Sequence, residues 1–218
     1  MKFSNKAFSS LKLNHLFSIP LMEFDYGQTS EDENKIIYHY LNNLKPNVYN
    51  ASTIESYILD KGLTKLKNFI ENSIDTYVRN IIVGDDYDEN LSFKITQSWV
   101  NLTKPGGLGH HQHTHSNSLI SGVFYVSTND IDSIVFANDY LTFQTIRVNV
   151  KKYNEFNANI WRYPVKEGKL ILFPSNLPHH VDPPIGNKDR ISLSFNVFPF
   201  GLLGCREQLS ELRILEDK

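Results

Sequence analysis

The hydrophobic period changes once along this chain, near residue 90, and that change limits the folds open to it. Before it, apolar residues recur at helical spacing. Ser30 followed by Glu33 has the form of a capping box, and Ile36, Ile37, Tyr40 and Leu41 follow on one face. Leu44-Lys45-Pro46 ends that run. A second amphipathic run, Leu63 to Val83, sets Leu66, Phe69, Ile70, Ile74, Tyr77, Val78 and Ile81 on one stripe, and Gly84-Asp85-Asp86 stops it. Phe17 to Phe24 reads as an edge strand.

From about Leu91 the period is two. Seven stretches read as strands: Ser92–Leu102, Leu119–Ser127, Ser133–Ala137, Leu141–Val150, Asn159–Val165, Lys169–Phe173 and Arg190–Pro199. Turn chemistry separates them, as in Pro105-Gly106-Gly107, Asn129-Asp130 and Glu167-Gly168. Many short strands at this spacing predict a sandwich or jelly roll, with the helices covering one sheet face. Neither part is self-sufficient, so the expectation is a single domain over 1–218. Residues 1–90 form largely helical support, 91–200 the β core, and 201–218 a C-terminal helix, its amphipathic run being Glu207–Ile214.

Composition narrows the function classes. The chain has 218 residues and a formal net charge of -2, with no basic excess for a nucleic-acid groove. A lone cysteine, Cys205, excludes an intrachain disulfide and points to a reducing, cytoplasmic setting. Apolar runs such as Leu170–Phe173 are far too short to span a bilayer. The N-terminus lacks the continuous apolar stretch of a signal peptide. Oligomeric state is not readable.

Eight histidines is the unusual count, and six of them cluster: His110, His111, His113 and His115, then His179 and His180. Histidine is the commonest metal ligand. On a strand, His113 and His115 share a face about 7 Å apart at Cα, a spacing that lets two imidazoles share one ion. A buried strand, Lys169–Phe173, and the turn Pro174-Ser175-Asn176-Leu177-Pro178 lead into His179 and His180. Either could bring a third imidazole, and three protein ligands on one face leave positions open for water, cosubstrate and oxygen. Spacing does not choose between His179 and His180. The strand from Arg190 alternates cleanly: Ile191, Leu193, Phe195 and Val197 on one face, Arg190, Ser192, Ser194 and Asn196 on the other. An arginine with a hydroxyl two residues on can grip a carboxylate. His110 and His111, in a glycine-rich loop, are expected in solvent or at the mouth of such a site. His180 is expected to pack on the outer face, and His39 to be structural.

Together these residues resemble the Fe(II)/2-oxoglutarate-dependent oxygenases. The resemblance rests on Trp99-Val100-Asn101, Pro105-Gly106-Gly107, His113-Thr114-His115, Ser121-Gly122-Val123-Phe124-Tyr125, Leu172-Phe173-Pro174-Ser175, Leu177-Pro178-His179 and Arg190-Ile191-Ser192. It is similar above all to an oxygenase subfamily of bacterial and phage genomes, over roughly Leu91 to Phe200. The resemblance implies a double-stranded β-helix, a jelly-roll variant, and an H-x-D/E…H iron motif. By position His113 is then the first ligand and His179 the distal one. Arg190, eleven residues past His179, and Ser192 then hold the far carboxylate of 2-oxoglutarate, with Asn101 as a further polar cosubstrate contact. Position 115 departs from the pattern: histidine stands where the family has a carboxylate. Three neutral imidazoles leave Fe(II) its full charge, which a 2-oxoglutarate dianion can neutralise.

The implied activity is hydroxylation of a C–H bond in a protein side chain or small molecule, with release of succinate and CO2. Two alternatives stay open. A cupin-type three-histidine metalloenzyme would not use 2-oxoglutarate, and the chain partly matches that pattern from Gly107 to His115 and from Gly168 to His179. A non-catalytic β-sandwich interaction module would tolerate loss of all three histidines. The loop-rich stretch from Ile131 to Asn159 is expected to line the substrate end, with Tyr140, Phe143, Tyr153, Phe156 and Trp161 giving aromatic character.

Overall fold

The computed structural model describes residues 18–47, 50–84, 90–137 and 149–215. Two antiparallel sheets face each other. The larger has eight strands in the order β1 (Met22–Asp25), β9 (Lys169–Pro174), β6 (Ile120–Ser127), β11 (Arg190–Leu203), β4 (Ser92–Thr103), β3 (Ala51–Thr53), β2 (Leu44–Pro46), with β12 (Leu212–Ile214) on the far end of β11. The smaller runs β5 (His110–His113), β10 (His179–Val181), β7 (Ser133–Ala137), β8 (Ile160–Pro164). This is the double-stranded β-helix that the resemblance implied, a form of the jelly roll that the period-two patterning allowed. β11 is its spine: it pairs β4 along Arg190–Phe200 and β6 along Ile191–Val197.

The helices lie against the larger sheet. α1 (Glu31–Tyr40) starts with the expected capping box, Ser30 and Glu33 each satisfying the other's backbone N–H. α2 (Thr64–Tyr77) runs on into a wider, π-helical winding over Val78–Val83, and Gly84 (φ 82°) ends it. Leu66, Ile70, Ile74 and Tyr77 of α2 join Phe124, Leu170, Leu172, Leu193 and Phe195 in one apolar cluster. Each such side chain, fully buried, contributes roughly 1.5–3 kcal/mol. A second cluster fills one half of the gap between the sheets: Tyr125, Ile171 and Phe173 from the larger, Ile134 and Phe136 from the smaller, with Val165 and Leu177. The other half of that gap is polar. No helix among the described residues is long and apolar enough to cross a membrane.

Three expectations need correction or fall outside the description. The C-terminal run is not a helix. Leu209 takes a left-handed φ of 55° after one short helical turn (Arg206–Gln208), and Leu212–Ile214 pairs with Gly201–Leu203 as a strand. Its leucines have no surface to cover: Leu209, Leu212 and Leu215 are exposed, whereas the edge of β11 offers backbone partners. The N-terminal part is less helical than expected, because β1, β2 and β3 extend the larger sheet at both edges. The strand expected over 141–150 lies outside the described residues except at 149–150, which are not in a strand.

Candidate metal and cosubstrate site

The polar half of the gap holds every residue the sequence singled out as a site. β5 and β10 are neighbours, and His179 stands directly opposite His113 in their antiparallel register. His115, just past β5, is held by its backbone N–H donating to the Ser175 carbonyl at 2.9 Å. The turn carrying Ser175 is pinned by hydroxyls. Ser175 Oγ lies 2.9 Å from Ser121 Oγ and donates to Ser118 Oγ at 2.7 Å.

The imidazoles converge. One nitrogen of each of His113, His115 and His179 falls within 4.8 Å of the other two. His115 Nε2 and His179 Nε2 are 3.3 Å apart, with their rings stacked at an interplanar angle of 5°. Ligands about 2.1 Å from one ion and 90° apart would sit about 3 Å from each other, so this is a ligand spacing. The backbone fixes the tautomers. His113 Nδ1 is 2.8 Å from the His111 carbonyl and His179 Nδ1 is 2.9 Å from the Leu177 carbonyl. A carbonyl only accepts, so Nδ1 carries the proton and Nε2 keeps its lone pair, the arrangement that orients a metal-bound histidine.

Electrostatics agrees. Burial, reinforced by repulsion from His113, pushes His179 down to about 3 and His115 to about 4. Burial also lowers His113, against the opposing bond to the His111 carbonyl. The three rings are therefore neutral at physiological pH, as metal ligation requires. Among the described residues no carboxylate joins them: these three histidines are the one group of potential ligands that close on a common point.

The facing wall belongs to the larger sheet. The polar face of β11, which alternation alone left open to solvent or to a polar cavity, lines the cleft with Arg190, Ser192 and Ser194. Arg190 is only 5% exposed. Its Nη1 donates to the Asp182 carbonyl at 3.0 Å and lies 3.5 Å from Asp132 Oδ1, and Nη2 donates to Thr103 Oγ1 at 3.5 Å. Burial lowers its pKa, while Asp132 and Tyr125 oppose that fall. Asn101 stands beside Ser192 across the β4–β11 ladder. Its Nδ2 donates to Ser194 Oγ at 3.0 Å, and its Oδ1 is buried without a partner. Because a serine hydroxyl both donates and accepts, the amide can turn over and present Nδ2 to the cleft instead. The cleft is narrow, with a cavity volume of about 40 Å3.

Some placements differ from expectation. His110 is not a solvent residue. It lines the cleft, its ring 4.4 Å from that of His113 and its Nε2 3.5 Å from Asn47 Nδ2. His180 lies apart from the cluster, its Nε2 3.4 Å from Asp182 Oδ1. Of the aromatics expected at the substrate end, Tyr140 and Phe143 lie outside the described residues. Tyr153, Phe156 and Trp161 stand outside the cleft walls, and Tyr153 and Trp161 are exposed. Thr103 and Asp132 flank Arg190 without any local signal in the sequence. Only the Asn129-Asp130 turn marks the neighbourhood.

Comparison with known proteins supports the same frame. Residues 97–196, from β4 to β11, match the family model described as "Putative 2OG-Fe(II) oxygenase". No curated protein matches the sequence. Three solved structures share the fold at low identity. The first is a non-heme alpha ketoglutarate dependent carbocyclase, SnoK, from nogalamycin biosynthesis (9% identity, TM-score 0.58, covering 92% of this chain and 90% of that one). The second is HygX from Streptomyces hygroscopicus with nickel and 2-oxoglutarate bound (9%, TM-score 0.54, 83% of each). The third is a prolyl hydroxylase from Trichoplax adhaerens in complex with a hypoxia inducible factor peptide (14%, TM-score 0.52, 82% and 83%). The segment 97–196 that matches the oxygenase family model is also the segment that carries this histidine cluster.

Proposed function

We propose that the chain is a dioxygenase that holds Fe(II) through His113, His115 and His179 and 2-oxoglutarate through Arg190, Ser192 and Asn101. It hydroxylates a C–H bond of a small molecule or protein side chain. The observation that carries this reading is the meeting of three neutral, converging imidazoles with a buried arginine in one cleft. When bound, Fe(II) and 2-oxoglutarate supply an oxidising equivalent from dioxygen, with succinate and CO2 as the other products.

The chain's own residues bind, orient and exclude. The His111 and Leu177 carbonyls hold the Nδ1 protons of His113 and His179, keeping both Nε2 atoms free to ligate. Arg190 supplies the charge for a carboxylate, and Ser192 a hydroxyl donor beside it. Asn101, turned to present Nδ2, supplies a further donor. Val123, Ile134 and Val181 add apolar wall that keeps water from the reacting centre. The whole chain acts as a single oxygenase-like domain in this reading.

The test is anaerobic titration of the apoprotein with Fe(II) and then 2-oxoglutarate, followed by oxygen. A charge-transfer band on adding 2-oxoglutarate, then slow succinate formation, is the expected result. Tight Fe(II) binding with no response to 2-oxoglutarate would transfer the site to the three-histidine cupin chemistry.

A further inference from the structure

Arg190 is not a bare cation. It forms the partition between the histidine cleft and a second hollow, and it borders both. Asp132 borders only the second. Its carboxylate therefore backs the guanidinium from the side away from the cleft, 3.5 Å from Nη1, with both side chains almost completely buried. The carboxylate is fixed in place. Its other oxygen accepts the Asn129 backbone N–H at 2.9 Å, and the Asn129 side chain in turn bridges to the Lys188 backbone in the loop leading to Arg190.

Position and charge at Arg190 have separate sources. The Asp182 carbonyl and Thr103 Oγ1 hold the guanidinium without Asp132. What Asp132 adds is a negative charge. A far carboxylate arriving in the cleft thus meets an arginine that is already neutralised, and in a low-dielectric site a second carboxylate on one guanidinium is bound weakly.

We propose that Asp132 is the internal counter-charge of Arg190 and sets how weakly the cleft holds a dicarboxylate at its arginine end. This rests on the reading of Arg190 as the cosubstrate arginine. Asp132 lines no part of the histidine cleft and acts through the charge of Arg190. The consequence is asymmetric. A dicarboxylate with a chelating 2-oxo acid is retained by the metal end. Succinate, which keeps the far carboxylate and lacks the 2-oxo group, is let go.

The test compares wild type with Asp132→Asn and Asp132→Glu, each loaded anaerobically with Fe(II) and titrated calorimetrically with 2-oxoglutarate and, separately, with succinate. Asp132→Asn keeps an acceptor for the Asn129 N–H and removes the charge. The expected result is at least tenfold tighter binding of both ligands by Asp132→Asn, by a similar factor because both present the same far carboxylate, with Asp132→Glu within about threefold of wild type. A purely structural role would weaken binding, so unchanged or weaker binding by Asp132→Asn, with wild type responding normally to 2-oxoglutarate, overturns this inference and leaves the oxygenase reading intact. A wild type that binds Fe(II) and ignores 2-oxoglutarate overturns the reading of Arg190 and this inference with it. If Asp132→Asn is insoluble, refolding with Fe(II) and 2-oxoglutarate should recover it, the ligand replacing the lost charge. No recovery under those conditions counts against the proposal.

Discussion

Gly122 lies directly opposite Phe195 in the β6–β11 ladder. A Cβ built on it would sit 2.1 Å from Phe195 Cζ and 2.5 and 2.7 Å from the Cε atoms. Carbon atoms in good contact are about 3.5–4.0 Å apart, so Gly122→Ala forces the ring back by about 1.5 Å. The ring has nowhere to go: Phe195 is fully buried in the cluster that includes Leu66, Ile70 and Ile74 of α2. Overpacking of this kind costs about 1–3 kcal/mol, and the near-complete overlap argues for the upper end, about 2–3 kcal/mol. For a chain of this size each kcal/mol lowers Tm by about 2–4 °C, so a fall of about 4–12 °C is expected in thermal unfolding followed by circular dichroism. Phe195→Leu removes the obstructing ring, so in a double-mutant cycle the pair should be coupled favourably by about 1–2 kcal/mol. A Gly122→Ala protein within 1 °C of wild type, or strictly additive single mutants, would refute the packing argument. Fe(II) affinity should hardly change, because the added methyl points away from the cleft.

Other perturbations probe the site and its support. His179→Ala should abolish Fe(II) binding measured by equilibrium dialysis, whereas His115→Asp should retain it. Arg190→Met leaves the buried Asp132 carboxylate without its counter-charge, a cost of about 3–5 kcal/mol. Adding Asp132→Leu should restore most of the lost Tm without restoring 2-oxoglutarate binding. At Glu33, burial raises the pKa, but hydrogen bonds from Tyr26 and from the Ser30 backbone and hydroxyl outweigh it, and the net shift is downward. A depressed carboxylate stabilises the fold above its unfolded value, near 4.3, and loses that contribution as pH falls through the folded value. Glu33→Gln should therefore flatten the acid side of a Tm-against-pH curve.

The sequence disclosed what alternation and clustering can carry. β4 and β11 were legible from alternation, and β6, β7, β8 and β9 as short runs rich in apolar and aromatic residues bounded by turn residues. The polar face of β11 was legible as polar, but alternation could not say whether it met solvent or a cavity. The extent of β5 and β10 was not legible: His113 and His115 were placed together on a strand, whereas β5 covers His110–His113 and leaves His115 just beyond it, because a segment that is mostly histidine has no strand signature until it pairs. The choice of His179 over His180 came from the family resemblance, and the register opposite His113 supplies the physical reason that spacing lacked. The contact between Asp132 and Arg190 spans 58 residues and follows from the fold alone. At the C-terminus the leucine spacing misled, because periodicity describes a face and cannot say whether any surface exists to receive it.

The opposition of His113 and His179 in the ladder bears on which ion the protein carries. Their backbones are tied by hydrogen bonds between strands, which limits how far the pair can open or close around an ion. Calcium, which asks for six to eight oxygen donors, finds neither the donors nor the room. Among the divalent first-row metals, similar in size and all content with imidazole, the site has little means of preference and should follow the general affinity order, which favours nickel and copper over iron. Supply rather than selectivity then decides the occupant, and a preparation containing nickel or zinc would record the growth medium and the purification column instead of the native ion.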